Sequence, residues 1–271
     1  MTDATLSAVL RAAVAALTQG RWVLDELAPL FRATLLERVR PAPAAAQLDL
    51  LNLTVSFYGL KPMTGAAPSQ PAGDLLVASS EQELGFWDQA AATIHPGARY
   101  RAPSEADQRL VASCLAWFEA RSPDTYAVFR RWVLRIVSLG GARFGGGSHP
   151  HLFGCVFFDE ASLDSTPERL AVALVHELAH QELFLLNLFD RLVVEAADGH
   201  LVHAPLQGRP RPTIGRLHAA HALYRMQQFE ADCGLDADSS RRLLHATAET
   251  FEEWELTAFA QILWRRLYTT D

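Results

Sequence analysis

The strongest chemical signal in the sequence is the pentapeptide His176-Glu177-Leu178-Ala179-His180, an HExxH motif. Apolar residues recur around it at helical spacing, which predicts an amphipathic helix. Two histidines four residues apart project from one side of a helix, so both imidazoles can bind a single metal ion. Glu177 lies about 100° further round the helix, beside such a metal rather than directly on it. The motif therefore predicts a metal centre with an adjacent carboxylate.

A third metal ligand must come from elsewhere in the chain, because a catalytic metal commonly has three protein ligands and at least one open position. Glu195 and Glu230 are candidates for a thermolysin-like zinc site, and His218 is a candidate for an all-histidine site. The longer metzincin motif HExxHxxGxxH is absent, because QELFLL follows His180. The residue types alone leave all three candidates open.

Further elements occur in a fixed order around the motif. An apolar stretch with a glycine precedes it, and apolar-Pro, Arg-Pro, Gly-x-Leu-His and aromatic elements follow it: Phe153–Asp159, Leu174–His180, Ala204-Pro205, Arg211-Pro212, Gly215–His218 and Ala222–Arg225. In this order, residues 150–230 resemble the bacterial HExxH-motif peptide-modification family, which comprises Fe(II)- and 2-oxoglutarate-dependent peptide β-hydroxylases of ribosomal-peptide (RiPP) biosynthesis. HExxH alone is shared with many zinc peptidases, whereas the ordered set is far more discriminating.

The resemblance implies an enzyme, a dioxygenase that hydroxylates a residue in a ribosomally made peptide, with or without a leader sequence. It implies that His176, His180 and His218 bind Fe(II), a metal that imidazole ligands suit. Such a site would also accept zinc during purification. Glu177 would then support the metal ligands or contact the substrate.

The second cofactor implied by the resemblance is 2-oxoglutarate, whose distal carboxylate requires a fixed cation. Arginine binds a carboxylate through two parallel hydrogen bonds and is well suited to this role. Arg211 is our preferred residue because Pro212 stiffens its loop, and Arg225, two turns after His218, is the second choice.

Two other functions fit the same motif. In a zinc metallopeptidase, Glu177 would act as the general base on a zinc-bound water molecule. A protein-binding helical domain with a relict metal site would need no catalytic residue.

The composition excludes several classes of function. The chain has 271 residues and a net charge of −7, from 31 acidic and 24 basic residues, which argues against nucleic acid as a partner. Its three cysteines are far apart and form no CxxC pair, which argues against a disulfide framework and favours a reducing cytoplasm. No stretch reaches the roughly 18 apolar residues of a membrane span, and the first residues do not resemble a signal peptide.

The hydrophobic periodicity predicts a mainly α-helical fold with a short strand and a β-hairpin near the metal site. We expect a helical N-terminal region at residues 1–139 and a metal-binding region at 140–271, together forming one compact unit. Residues 61–73 contain three prolines and two glycines and are the best candidate for a linker. Helices are predicted at residues 4–17, 22–39, 104–139 with a break near 122–123, 167–188, 213–233 and 239–268.

Four local features complete the prediction. CVFFD, which ends at Asp159, has the apolar character of a strand, and residues 191–205 resemble a hairpin with Asp198-Gly199 at its turn. Residues 206–212 should form a rigid loop. The acidic residues near the C-terminus fit a solvated helix face: Glu249, Glu252, Glu253 and Glu255.

Overall fold

The computed structural model describes residues 3–38 and 84–269. Its main helices and strands, in chain order, are α1 (Asp3–Leu17), α2 (Leu24–Arg38), α3 (Leu84–Ile94), β1 (Arg99–Tyr100), α4 (Glu105–Arg121), α5 (Pro123–Trp132), β2 (Arg135–Gly140), β3 (Gly146–Gly147), β4 (Cys155–Asp159), α6 (Pro167–Phe189), β5 (Leu201–Ala204), β6 (Arg209–Pro212), α7 (Thr213–Asp232), α8 (Asp238–Ala248) and α9 (Ala258–Leu263). The predicted fold class, mainly α-helical with a short strand and a β-hairpin, is confirmed. The predicted linker at residues 61–73 lies outside the described residues.

The chain divides into two compact units. The sheet unit comprises Pro29–Gln181, and the terminal unit comprises Met1–Ala28 together with Glu182–Asp271, so the divisions fall inside α2 and α6. The predicted boundary between residues 139 and 140 falls at the end of β2, within the sheet unit. Among the described helices, none has both the length and the apolarity that crossing a membrane requires.

The sheet unit is built around four strands in the order β1-β2-β4-β3. β2 and β4 run parallel, with Ile136 opposite Val156, while β1 and β3 pair antiparallel to them. α3 contributes Trp87 to the core, where it lies with Val137 and Phe157 and is almost completely buried. The predicted strand CVFFD is therefore confirmed as β4, and every one of its residues is buried.

The prediction of helix up to residue 139 is wrong beyond Trp132. α4 and α5 occupy the first part, with the break at Ser122 as predicted, but residues 135–140 form β2. Four consecutive residues of β2 are buried. A strand covered on both faces has a continuous apolar run rather than an alternating one, so periodicity alone does not distinguish it from a buried helix.

The hairpin of the terminal unit lies further along the chain than predicted. β5 pairs antiparallel with β6, so the turn is at residues 205–208 and the predicted rigid loop forms the second strand. Gly208 has a φ of +61° at this turn, whereas Gly199 has no positive φ and precedes β5. The Asp198-Gly199 pair therefore does not form the left-handed turn that a two-residue hairpin requires.

The predicted final helix is also interrupted. α8 ends at Ala248 and α9 begins at Ala258, with a 3₁₀ turn at Glu253–Glu255 in between. Within this interruption Phe251 and Leu256 are buried, and Glu255 is completely buried rather than part of a solvated helix face. Burial of these side chains requires the chain to leave the helical path, which composition does not reveal.

A buried ionic network organises the terminal unit. The carboxylate of Glu182 accepts hydrogen bonds from the backbone N–H of Val23 at 2.7 Å and from Arg225 Nε at 2.9 Å. Its other close neighbour is His221 Nε2 at 2.9 Å, and His221 Nδ1 lies 2.9 Å from the Tyr268 hydroxyl. His221, three residues after His218, is therefore committed to this network through both ring nitrogens.

We expect Glu182→Gln to lower the free energy of unfolding by about 3–5 kcal/mol, because it leaves the Arg225 charge buried without its counter-charge. Urea unfolding monitored by circular dichroism measures the change. Glu105→Gln is the control, since Glu105 pairs with Arg109 on the surface and its loss should change stability by about 1 kcal/mol or less. A Glu182→Gln protein as stable as the control variant would contradict the prediction.

Candidate metal centre

α6 holds the HExxH motif in a fixed position within the sheet unit. Thr166 Oγ1 accepts the backbone N–H of Arg169, and Pro167 occupies the first helical position, as predicted for the start of this helix. At the far side of the motif, Gln181 is completely buried. Its amide oxygen accepts the N–H of Gly154 and its amide nitrogen donates to the carbonyl of Cys155, which ties the motif to the beginning of β4.

His176, Glu177 and His180 bring their ligand atoms together at one side of α6. The three groups each offer an atom within 4.8 Å of the others. The imidazole centroids of His176 and His180 are 4.6 Å apart with the rings nearly perpendicular, and Glu177 Oε1 is 4.0 Å from His176 Nε2. Both histidines remain partly accessible, whereas Glu177 is buried.

Burial alters the protonation of these groups in a direction that suits metal binding. Desolvation lowers the pKa of His176 to about 4, so its imidazole is neutral at neutral pH, which is the form that binds metals. Desolvation raises the pKa of Glu177 to about 8, and the nearby hydroxyl of Ser148 opposes this rise. The arrangement fits a divalent transition metal, because the neutral imidazoles converge and an acidic group lies beside them.

The glycine-rich segment before β4, Gly145–Gly147, lies next to Glu177. The sequence did not indicate this proximity. A side chain at Gly146 of β3 would have its Cβ 2.9 Å from Glu177 Oε1 and 2.9 Å from the Phe158 ring. Glu177 Oε2 is buried and has no hydrogen-bond partner by strict geometry among the described residues, and the Ser148 hydroxyl is close enough to the carboxyl group to oppose the rise in its pKa. The run Gly145-Gly146-Gly147 was the available signal, but only the sheet pairing shows that it approaches the motif.

The Asp159 carboxylate fixes this glycine-rich segment. It accepts the backbone N–H groups of Phe144 and Gly145, each at 2.9 Å, and the N–H and hydroxyl of Ser162. Burial alone would raise the pKa of Asp159, but these hydrogen bonds lower it below the ordinary value. The carboxylate thus stays ionised and holds the segment that contacts Glu177.

His218, the predicted third ligand, lies in the terminal unit on α7. Its ring is 4.9 Å from the ring of Phe184, a residue of the last part of α6. His218 is partly accessible and remains our predicted third ligand.

The two glutamates that were alternative third ligands lie on different elements of the terminal unit. Glu195 begins a 3₁₀ turn before the hairpin, and Glu230 is close to the end of α7. Twelve residues separate Glu230 from His218, which is about 18 Å along the helix. Glu230 and His218 therefore cannot both serve one metal ion.

The arginines near α7 fall into two groups. Arg225 uses its guanidinium on Glu182 and on the backbone carbonyls of Gly20 and Arg21, and it lies over the Trp22 ring. These contacts occupy its donors, so the geometry argues against Arg225 as the 2-oxoglutarate ligand.

Arg211 differs from Arg225, because its buried Nε has no hydrogen-bond partner in the part of the chain that the structure describes. Its guanidinium lies against Gly215, where an added Cβ would be 3.3 Å from Nε. Arg211 therefore remains the residue that we predict to bind the cofactor.

We expect His176→Ala and His180→Ala to lower the affinity for a divalent metal by at least about 100-fold, since two ligands of one ion come from these side chains. Glu177→Gln should retain the metal, because Glu177 lies beside the predicted ligands. Titration of the metal-free protein with Co(II), followed by visible absorption, measures the affinity. Equal affinity in the wild type and both histidine variants would show that the motif binds no metal.

The comparisons with known proteins add no family to these observations. No protein-family model matches the chain, and no curated protein sequence matches it.

Proposed function

We propose that the protein is a cytoplasmic Fe(II)- and 2-oxoglutarate-dependent dioxygenase that hydroxylates the β-carbon of a residue in a ribosomally made peptide. The HExxH cluster supports the metal requirement, and the ordered sequence elements support the substrate class. The single observation that carries the oxygenase over other metal-dependent functions is the state of Arg211.

The Arg211 side chain is half-buried. Its Nε is buried and unpartnered, and among the described residues no carboxylate forms an ion pair with it. A buried donor left without a partner costs about 1–3 kcal/mol, and more when it is charged. Arg216 and Arg225 are buried more deeply, and each pairs with a glutamate, although Arg216 Nε also has no hydrogen-bond partner among the described residues. A bound carboxylate ligand would satisfy Arg211, and 2-oxoglutarate supplies one.

Each predicted site residue then has a defined task. His176, His180 and His218 would hold Fe(II), which together with 2-oxoglutarate supplies the oxidising power for hydroxylation of an unactivated carbon. Arg211 binds the distal carboxylate of 2-oxoglutarate and fixes its orientation. Glu177 is buried beside the histidines, with one carboxyl oxygen free to hydrogen-bond the peptide.

A zinc metallopeptidase is the second candidate, and one observation favours it. The carboxyl oxygen of Glu177 lies 4.0 Å from His176 Nε2, and the other oxygen is buried without a partner. A general base needs this proximity to a metal-bound water molecule. This function gives no role to the unpaired Arg211.

The cofactor requirement is tested by adding 2-oxoglutarate to the Fe(II)-loaded protein without oxygen. We expect a weak visible charge-transfer band in the wild type and its loss, or a Kd raised at least about tenfold, in Arg211→Ala. Arg209→Ala is the matched control, because Arg209 is an exposed arginine on the same strand. Equal binding by both variants would contradict the role of Arg211, and no band in the wild type would contradict the oxygenase.

The peptidase is tested separately with the zinc-loaded protein and a peptide library. If the protein is a peptidase, the wild type cleaves peptides and Glu177→Gln loses at least about 100-fold in rate while retaining zinc. We expect no cleavage by either protein. Zinc-dependent cleavage that Glu177→Gln abolishes would replace the oxygenase proposal.

A further inference from the structure

Glu255 is a buried carboxylate surrounded by hydrogen-bond donors. Its side chain has no exposed surface. Oε1 accepts the Thr213 hydroxyl at 2.7 Å, lies 2.7 Å from His200 Nδ1 and forms an ion pair with Arg216. Oε2 accepts the backbone N–H of Glu252 at 2.9 Å. Burial alone would raise the pKa of Glu255, but these contacts hold it at about 2, so the carboxylate is ionised.

The donors on Glu255 come mainly from the beginning of α7. Thr213 is the first residue of that helix and Arg216 is one turn later, so both ends of the first turn contact the same carboxylate. Arg216 also donates to Thr213 Oγ1 and to the carbonyl of Thr250. α7 has no side-chain hydrogen bond from its N-cap residue, Pro212, so this network is what fixes its first turn.

The candidate cofactor residues lie on either side of this turn, Arg211 at the end of β6 and His218 further along α7. Arg211 lies two residues before Thr213, and its guanidinium is packed across the turn against Gly215. His218 follows Arg216 by two residues on the same helix. A shift of the first turn would move His218, which is on the same helix, and would also displace Arg211, whose guanidinium is packed against Gly215 of that turn.

Glu255 also controls the charge of this region. Arg216 is completely buried, and Glu255 is the carboxylate that neutralises it. Without that negative charge, a second uncompensated guanidinium would lie five residues from Arg211 and compete for an anionic ligand. Pairing Arg216 with Glu255 leaves Arg211 as the unneutralised cation at the start of α7.

We propose that Glu255 is a positioning residue that orients Arg211 and His218 through the first turn of α7. The inference rests on the proposed function, which gives those two residues their roles in binding 2-oxoglutarate and the metal. Residues outside the set of metal ligands commonly change metal affinity or activity by about 10–100-fold when they orient those ligands.

The test compares Glu255→Gln with Glu253→Gln in the full chain loaded with Co(II). Glu253 lies on the same 3₁₀ turn but is exposed and pairs with Arg265 on the surface. We expect Glu255→Gln to raise the Kd for 2-oxoglutarate at least about tenfold and to shift the Co(II) visible spectrum in the direction that His218→Ala shifts it. Glu253→Gln should match the wild type in both measurements.

A purely structural role would lower the melting temperature of Glu255→Gln but leave its Kd and spectrum unchanged below that temperature, and this result overturns the proposal. If Glu255→Gln does not fold, Thr213→Val replaces it, because it removes one donor and keeps the Arg216 ion pair. We expect about a fivefold higher Kd for Thr213→Val, and an unchanged Kd and spectrum would overturn the proposal.

If the proposed function is wrong, the binding and spectral measurements give a different set of results. If the wild type does not bind 2-oxoglutarate, the oxygenase is excluded, and the Co(II) spectrum alone decides the positioning of His218. A spectrum shifted by Glu255→Gln and by His218→Ala then supports the positioning role. A spectrum that neither variant changes overturns it.

Discussion

The terminal unit depends on one buried carboxylate, that of Glu182. Because Glu182 follows the HExxH motif by two residues, the helix that carries the candidate metal-binding histidines also supplies the acceptor for Arg225, His221 and the backbone N–H of Val23. A charge removed from water is tolerated only when its partners are complete. This requirement fixes the beginning of α2 and the middle of α7 relative to Glu182 within the unit.

Three arginines near α7 differ in whether a carboxylate neutralises their charge. Arg225 and Arg216 are each matched by a buried glutamate and act within the scaffold. Arg211, on the strand that leads into α7, has a buried nitrogen without a partner. Proteins rarely leave a buried donor unsatisfied, and each such donor calls for an explanation, such as a catalytic role or a bound ion or water molecule. The contrast gives the anionic cofactor its most specific support.

Glu177 presents a similar contrast within the sheet unit. Its neighbour Gln181 is fully used by the backbone of the segment before β4, whereas one oxygen of Glu177 has no partner. The glycines of β3 permit the close approach, since Gly146 has no Cβ to collide with the carboxyl group. α6 thus carries Gln181, whose side chain is used to hold the backbone before β4, and Glu177, which has one carboxyl oxygen without a partner among the described residues.

The sequence by itself determined the features that depend on local spacing. α1, α6 and α7 follow from apolar periodicity, and the pairing of His176 with His180 follows from the geometry of a helix. Features that depend on partners distant in sequence were fixed only in the tertiary structure. β2 is a strand because it pairs with β4, and the hairpin turns at Gly208 because β6 pairs with β5. The tertiary structure also decided which charges are neutralised. Arg211, Arg216 and Arg225 cannot be distinguished by residue type. In the fold, one buried glutamate pairs with Arg216 and another with Arg225. Among the described residues no carboxylate pairs with Arg211.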